Sequence, residues 1–384
     1  MFGMFHKIKI FTKKNISPRQ WEKIKNLLIP CLKNLKIFTN FIIYIILWLL
    51  PLGFIGSFGR RKKIVLFYDL RVSTYRFDAV TGLLAALTNV RAGKGEKFDL
   101  VIYDPVKGRR EDGPLKCDAS EGMRLHYLIS VIFESLNVVG SVDEIHYVRS
   151  PIPLYSIWMT TKFSHLLPSF YTPFLPETGY SLKNPLKIIK NKKEALPRLL
   201  TSPIFDEKVD QLLESVGVTG SFLTLNIRQK TWEKSYWNWS TEERSAMLDL
   251  ATKLREGGLI EHILVLKDFD NPFATDSDHD LISQGFIVVP EATLSVRFRV
   301  SLCSKATVNL CGTNGTSLFA LFNSPPCLFL NKDNWDADDG AEGDFFALYD
   351  NIHVVKGLES FRSGLVLNKI STMISEGASL SNDL

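Results

Sequence analysis

The 384-residue chain carries 46 basic and 41 acidic side chains, a formal net charge of +5, with 45% apolar and 23% charged residues. Those values suit a folded chain and exclude a disordered polymer, a collagen and a polytopic carrier. A single core stops growing at about 250–300 residues, so two to three domains are expected.

The charge is uneven along the chain. Residues 1–63 hold 13 Lys and Arg against one acid, Glu22, so the other 321 hold 33 basic and 40 acidic groups, a net of −7. A general nucleic-acid binder would carry its basic patch on the folded domain. A basic end on an acidic body instead suits a segment at an anionic membrane surface. Cys31, Cys117, Cys303, Cys311 and Cys327 form no CxxC pair, which removes zinc-ribbon and thioredoxin-type sites. Their odd number favours a reducing compartment. Cys303, Cys311 and Cys327 lie in apolar surroundings, as buried inert thiols do.

At the N-terminus, Ser17-Pro18-Arg19-Gln20 reads as a capping box with Pro at the first helical position. Trp21, Ile24, Leu27, Leu28, Cys31, Leu32 and Leu35 then recur at helical spacing, with Lys23, Lys25 and Lys33 toward the other side. This is the pattern of an interfacial amphipathic helix. Residues 37–58, IFTNFIIYIILWLLPLGFIGSF, contain no charge, and as a helix would span roughly 33 Å, close to a bilayer's hydrocarbon core. The run ends in Gly59-Arg60-Arg61-Lys62-Lys63 rather than at a small-residue cleavage site. Basic residues flank it on both sides, so the positive-inside count leaves orientation open. Pro51 and Gly53 also permit a dip that returns to the same face.

The body opens with an apolar strand candidate at 63–69, a helix at 76–87 and a second strand at 98–104 that stops at Asp104-Pro105. Strand, helix and strand in about 40 residues make a βαβ unit and imply a parallel sheet. A helix over 121–137 and a strand over 144–149 follow. No GxGxxG follows the first strand, so the dinucleotide fingerprint is missing. Residues 150–206 are rich in Pro, Lys and aromatics and read as a linker and cleft edge. The alternation then restarts. Helices are expected at 206–216, 242–255, 296–303 and from Thr316 to Phe322; strands are expected at 221–227, 263–266, 286–289, 306–310 and 326–330. The expected fold is α/β, with two Rossmann-like domains facing a crevice behind an N-terminal membrane helix. Its domains are 1–36 (basic amphipathic), 37–60 (membrane helix), 61–200 and 201–384. Ligands of such folds bind in the crevice outside the carboxyl ends of the strands.

The clearest candidate site is the turn Gly312-Thr313-Asn314-Gly315-Thr316-Ser317 between a strand and an apolar helix. Small residues let N–H groups point at an anion, the hydroxyls add donors, and a helix N-terminus adds favourable partial charge. No Lys follows Gly315, so it is no Walker loop. Arg228 and Lys230 leave the end of another strand, where Arg228 can hold a diphosphate bidentately and Lys230 can add a point charge. Trp232, Tyr236, Trp237 and Trp239 follow closely and can stack on rings. Asp69 and Asp104 end strands of the first half, where a general base would face an acceptor hydroxyl. Asp268 and Glu291 end strands of the second half, where carboxylates bind ribose hydroxyls. The acidic run 333–344 does not fit a calcium loop. Asp336-Ala-Asp338 and Asp276-Ser-Asp278 are formally DxD, but they fall too late in the chain for a sugar-transferase metal pair. The seven histidines are scattered, and no metal site is expected.

The stretches LTLNIRQK (223–230), VVPEATLSVRFRVSLCSKATVNLCGTNGTS (288–317) and LFNSPPCLFLN (321–331) carry a resemblance. Over residues 62–370 the chain resembles a GT-B glycosyltransferase, in particular the bacterial group that builds surface polysaccharides. The resemblance implies that Arg228, Gly312, Asn314, Gly315 and Thr316 hold the diphosphate of a nucleotide-sugar donor, without a cofactor. It implies transfer of a sugar to a hydroxyl of a glycan or lipid-linked acceptor; the basic N-terminal end adds an anionic membrane as partner, and the charge distribution leaves no nucleic-acid partner expected. A cytoplasmic body is expected from where nucleotide sugars are found, and a Golgi-luminal body is the alternative that sequons at Asn238 and Asn314 keep open. A nucleotide-sugar epimerase of the same shape and a non-catalytic glycan-assembly scaffold are the rival readings.

Overall fold

The structure is a computed structural model that describes residues 42, 63–73, 78–105, 125–169, 171–174, 176, 183–226, 241–267, 276–312, 315–323, 325–331, 348–356 and 364–381. Among these residues no helix is long and apolar enough to cross a membrane. The amphipathic segment and the 37–58 run lie outside them, apart from helical, exposed Ile42.

Two parallel sheets form the body. The first has order β3-β2-β1-β4, with β1 Ile64–Asp69, β2 Phe98–Tyr103, β3 Val142–Val148 and β4 Leu166–Leu167. β1 and β2 are buried at every position, as near-continuous apolar runs in a sheet covered on both faces should be. One face, with Leu66, Tyr68, Leu100 and Ile102, packs on α1 (Asp78–Asn89) and on α2 (Glu134–Val139) with the π-helical stretch before it, Leu128–Phe133. The other face, with Val65, Phe67, Val101 and Tyr103, packs on Leu154, Ile157 and Trp158 of α3 (Pro151–Thr160).

The second sheet has order β10-β9-β8-β5-β6-β7, built from β5 Phe222–Asn226, β6 His262–Leu266, β7 Ile287–Val288, β8 Val308–Gly312, β9 Cys327–Asn331 and β10 Ile352–Lys356. Every pairing is parallel. Read from β7, the order is that of a doubly wound nucleotide-binding fold, with its reversal between β5 and β8. On one face Leu223, Leu225, Val265 and Leu310 meet α6 (Thr241–Glu256), α7 (Asp276–Ser283) and α11 (Gly364–Ser381). On the other, Leu264, Leu266, Cys311 and Phe329 meet α5 (Pro203–Ser215), α9 (Val296–Lys305) and α10 (Leu318–Leu321).

Residues 150–206 are more regular than the linker expected there. They contain α3, β4 and α4 (Lys183–Asn191). The prolines suggested breaks, yet Pro151 and Pro203 occupy the first turns of α3 and α5, where a missing N–H costs nothing. β4 is only two residues long, too short for any periodicity.

The halves share one apolar cluster running from α1 and α2 through α5 to α9 and β9. Polar contacts cross the same interface. Arg297 donates to both carboxylate oxygens of Glu134 at 2.7 and 3.1 Å, and Ser295 donates to the same carboxylate at 3.2 Å. The Leu199 N–H reaches Phe322 O at 2.9 Å, and the buried Tyr349 hydroxyl reaches Pro197 O at 2.6 Å.

Arg297 is 36% exposed and Glu134 20%, so water screens their bidentate pair. Glu134→Ala, Arg297→Ala and the double variant should show a coupling of about 1 kcal/mol or less in urea unfolding.

Candidate functional site

Both sheets reverse strand order once, the first between β1 and β4 and the second between β5 and β8. At such a point adjacent strands send their following loops to opposite faces, leaving a crevice at the carboxyl edge.

In the first half this point is occupied by Asp69, the last residue of β1, which is 0% exposed. Arg71 Nε lies 3.0 and 3.2 Å from its two oxygens and Arg71 Nη2 lies 2.6 Å from Oδ2; the Arg71 N–H donates to Oδ1 at 3.0 Å. The Tyr171 hydroxyl, from the segment after β4, donates to Oδ2 at 2.8 Å. Tyr171 stacks on Phe67 at 4.5 Å between centroids. Arg71 also reaches Pro173 O at 2.8 Å and covers the Tyr103 ring at 4.8 Å. Burial alone would lower the Arg71 guanidinium, but the hydrogen bonds and charge of Asp69 outweigh it and raise its pKa. Burial, reinforced by Asp69, pushes the Tyr171 phenol well up.

Asp69 was a candidate base. Its two oxygens are instead engaged, and no part of it opens to solvent. The group that reaches the surface is the Arg71 guanidinium, 26% exposed. Asp104, just past β2, is also buried, and its carboxylate accepts from the Tyr147 hydroxyl.

In the second half Asn226 ends β5 and Gly312 ends β8. The buried Arg299 of α9 knits the neighbouring strand ends together. Its guanidinium donates to Asn226 Oδ1 at 2.8 Å, to Lys267 O at 2.7 Å, to Ala292 O at 3.3 Å and to Leu266 O at 3.4 Å. Lys267, directly after β6, is buried and pairs with Asp278 of α7 at 2.6 Å. The Asp276-Ser277-Asp278 pattern therefore supplies an ion pair, not an exposed metal-binding carboxylate.

Arg228, Lys230, Asp268, Thr313, Asn314 and the 333–344 run lie outside the described residues. Gly315–Ser317 form a 3-10 turn in which Thr316 and Ser317 are buried. The helix expected there starts only at Leu318 and lasts four residues, so less helix dipole backs the turn than the sequence pattern suggested. Glu291 opens the short α8 (Glu291–Leu294) just past β7 and is exposed.

Cys303, Cys311 and Cys327 are buried as free thiols. Burial pushes Cys303 up to about 12 and Cys327 well above its usual range. Asn226 donates to Cys311 Sγ at 3.6 Å. Among the described residues, one group has metal-ligand chemistry: Asp99, Glu144 and His146, whose ligand atoms lie within 4.8 Å of one another. A register shift between β2 and β3 brings them together. They stand toward the amino edge of the first sheet, away from the crevice, and Glu144 already lies 3.2 Å from His146.

Sequence reading missed Arg71, Tyr171, Arg299 and Lys267. Arg71 had a local signal, standing two residues past the strand-end Asp69. Arg299 had none, because its partners are carbonyls and an amide on other elements.

No family model and no curated protein matches the chain. Among solved structures, the chain is similar to a glycosyl transferase family 9 protein from Veillonella parvula, with 12% identity, TM-score 0.48, and 83% of this chain and 98% of that one covered. It is similar to the Escherichia coli ADP-heptose LPS heptosyltransferase II at 10% identity and TM-score 0.44, covering 82% and 99%. It is similar to the fucosyltransferase NodZ from Bradyrhizobium at 11% identity and TM-score 0.34, covering 70% and 95%. The doubly wound order stands on the strand pairing above, independent of these likenesses.

Two outcomes follow from the buried groups. Lys267→Met should strand the Asp278 carboxylate and lower the unfolding free energy by about 3–5 kcal/mol, whereas Lys267→Met with Asp278→Leu should recover most of it in urea titration. In native protein at pH 8, peptide mapping after iodoacetamide should find Cys303, Cys311 and Cys327 unmodified, and urea should expose all three.

Proposed function

We propose that the chain is a nucleotide-sugar-dependent glycosyltransferase that moves a sugar from a nucleoside-diphosphate donor to a hydroxyl of a glycan or lipid-linked acceptor. The observation that carries this reading is the strand reversal between β5 and β8. Two adjacent strands end there side by side, with Leu225 opposite Leu310. One leads within two residues to Arg228 and then Lys230, the other into Gly312–Ser317. A cation pair and a small-residue turn at one switch point suit a diphosphate.

Departure of the diphosphate requires positive charge and N–H donors where negative charge develops. Arg228, Lys230 and the 312–317 turn fill that role, with side-chain cations neutralising the leaving group. Asp268 and Glu291, which follow β6 and β7 in the chain, are our candidates to bind the ribose hydroxyls. Across the crevice, the Arg71 guanidinium held by Asp69 gives the first half a fixed cation for an acceptor or a donor phosphate. We place the enzyme at an anionic membrane through residues 1–60, with its body on the cytoplasmic face, in the building of surface polysaccharide.

A second reading is binding of a nucleotide sugar without transfer. It is favoured by the burial and engagement of both Asp69 and Asp104, which leaves acceptor deprotonation to another group.

Calorimetry with UDP, GDP and ADP tests the donor site. Arg228→Ala should remove a charge-assisted contact worth about 1.5–3 kcal/mol, a loss of roughly tenfold to a hundredfold in nucleotide affinity. Arg228→Lys should rescue only part, because an ammonium lacks the paired fork. Equal affinities in wild type and Arg228→Ala remove Arg228 from the site. Release of nucleoside diphosphate from a panel of nucleotide sugars, dependent on an added acceptor, separates transfer from binding alone.

A further inference from the structure

We propose that the amino edge of the first sheet, opposite the crevice, docks the folded body on a bilayer rich in anionic phospholipid. The surface follows from the topology. Parallel strands in register bring their amino ends to one side: Ile64 stands opposite Phe98, and Val65 opposite Leu166. The residues just ahead of those ends are Lys63, Lys97 and the Lys162–His165 segment.

Two further elements reach the same side. After α1 a π-helical turn, Val90–Lys94, presents exposed Arg91 and Lys94, and Gly93 within it takes φ +83. α4 buries Ile189 and leaves Lys187 and Lys190 exposed. The chain then turns through Lys192 and exposed Lys193. Contacts join these pieces. Arg91 donates to Leu196 O, and Lys192 Nζ lies 4.0 Å from where a side chain on Gly93 would begin. Burial lowers the His165 imidazole, and the charges of Lys162 and Lys94 lower it further, which places both near it.

Carboxylates face this surface too. Glu194 lies 3.9 Å from Lys192. Asp143 is held by Lys63 and, at 3.7 Å, by Lys97. Glu144 and Glu96 are exposed, and buried Asp99 lies 4.0 Å from Lys63. The cations still outnumber them, on a body whose net charge past residue 63 is −7. The excess is therefore a local reversal of the average composition.

The occupant follows from chain continuity. β1 begins at Ile64, so the preceding 63 residues, with their uncharged 37–58 run, join the body on this face. A tether raises the effective concentration of the surface it delivers. Attraction to anionic headgroups falls off within about 8–10 Å at physiological salt, so cations beside the tether's attachment point count most. This surface does not depend on the transferase reading.

Hydrogen exchange on the full chain tests it, with vesicles of phosphatidylcholine alone and of phosphatidylcholine with phosphatidylglycerol. Slower exchange at 90–97 and 183–194 with phosphatidylglycerol, lost in high salt, is the expected result. The variant Lys187→Glu, Lys190→Glu, Lys193→Glu should lose that protection while β5, β6 and β8 exchange as in wild type, showing that the fold persists. Identical exchange on the two kinds of vesicle, protection that survives charge reversal, or no binding to phosphatidylglycerol vesicles would overturn the proposal.

Discussion

The second half is organised around a guanidinium that water never reaches. Arg299 leaves α9 and donates to groups at the ends of β5 and β6 and in α8. A buried cation is tolerated only when its donors are met, and these acceptors converge only if the strand ends and α8 hold their places. Lys267 adds a second buried cation one residue past β6, facing Asp278. The carboxyl edge of the sheet is thereby held by polar contacts that cannot slide, whereas apolar packing alone tolerates repacking. The loops that start there, toward Arg228 and toward Asp268, leave from fixed points.

The first half solves the same problem with the charges in reverse order. A carboxylate, Asp69, is the buried centre, and a guanidinium and a phenol close around it. Tyr171 ties the segment after β4 to the end of β1, so the crevice edge on this side does not rest on two-residue β4 pairing alone. In each half an acid that the sequence pattern singles out, strand-end Asp69 or Asp278 of a formal DxD, is consumed in holding the edge. The cation paired with Asp278 is buried; the one paired with Asp69, Arg71, keeps some exposure, so of these two cations it is the one with a surface to offer a ligand.

Much of the fold was legible because buried parallel strands are continuous apolar runs. β1, β2, β5, β6 and β9 announce themselves by composition and by the Asp, Asn or Pro that ends or bounds them. β4, at two residues, has no period to detect. α3 was hidden by prolines that in fact start it. The α10 helix was overestimated because Gly-Thr-Ser can precede a helix or form a 3-10 turn, and packing of Thr316 and Ser317 decides between them. The edge contacts were illegible for a different reason. Tyr171 meets Asp69 across 102 positions, and Arg299 meets Asn226 across 73. No local spacing encodes such pairs; they exist only once the crossovers have brought the elements together.

The two ends of the first sheet carry opposite assignments, and the strands set the distance between them. β1 has six residues, which places its carboxyl end about 20 Å from its amino end. A body resting on its amino edge would hold the crevice roughly that far above the headgroups. A hydroxyl buried in the bilayer interface could not reach it; one borne on a glycan projecting from a lipid carrier could. The same geometry would keep an anionic ligand of Arg71 clear of the anionic surface, where its charge would be repelled within a Debye length of about 8–10 Å. A basic amino edge and the partly exposed Arg71 guanidinium at the carboxyl edge are thus compatible on one small domain, because a parallel sheet separates its two ends by the length of its strands.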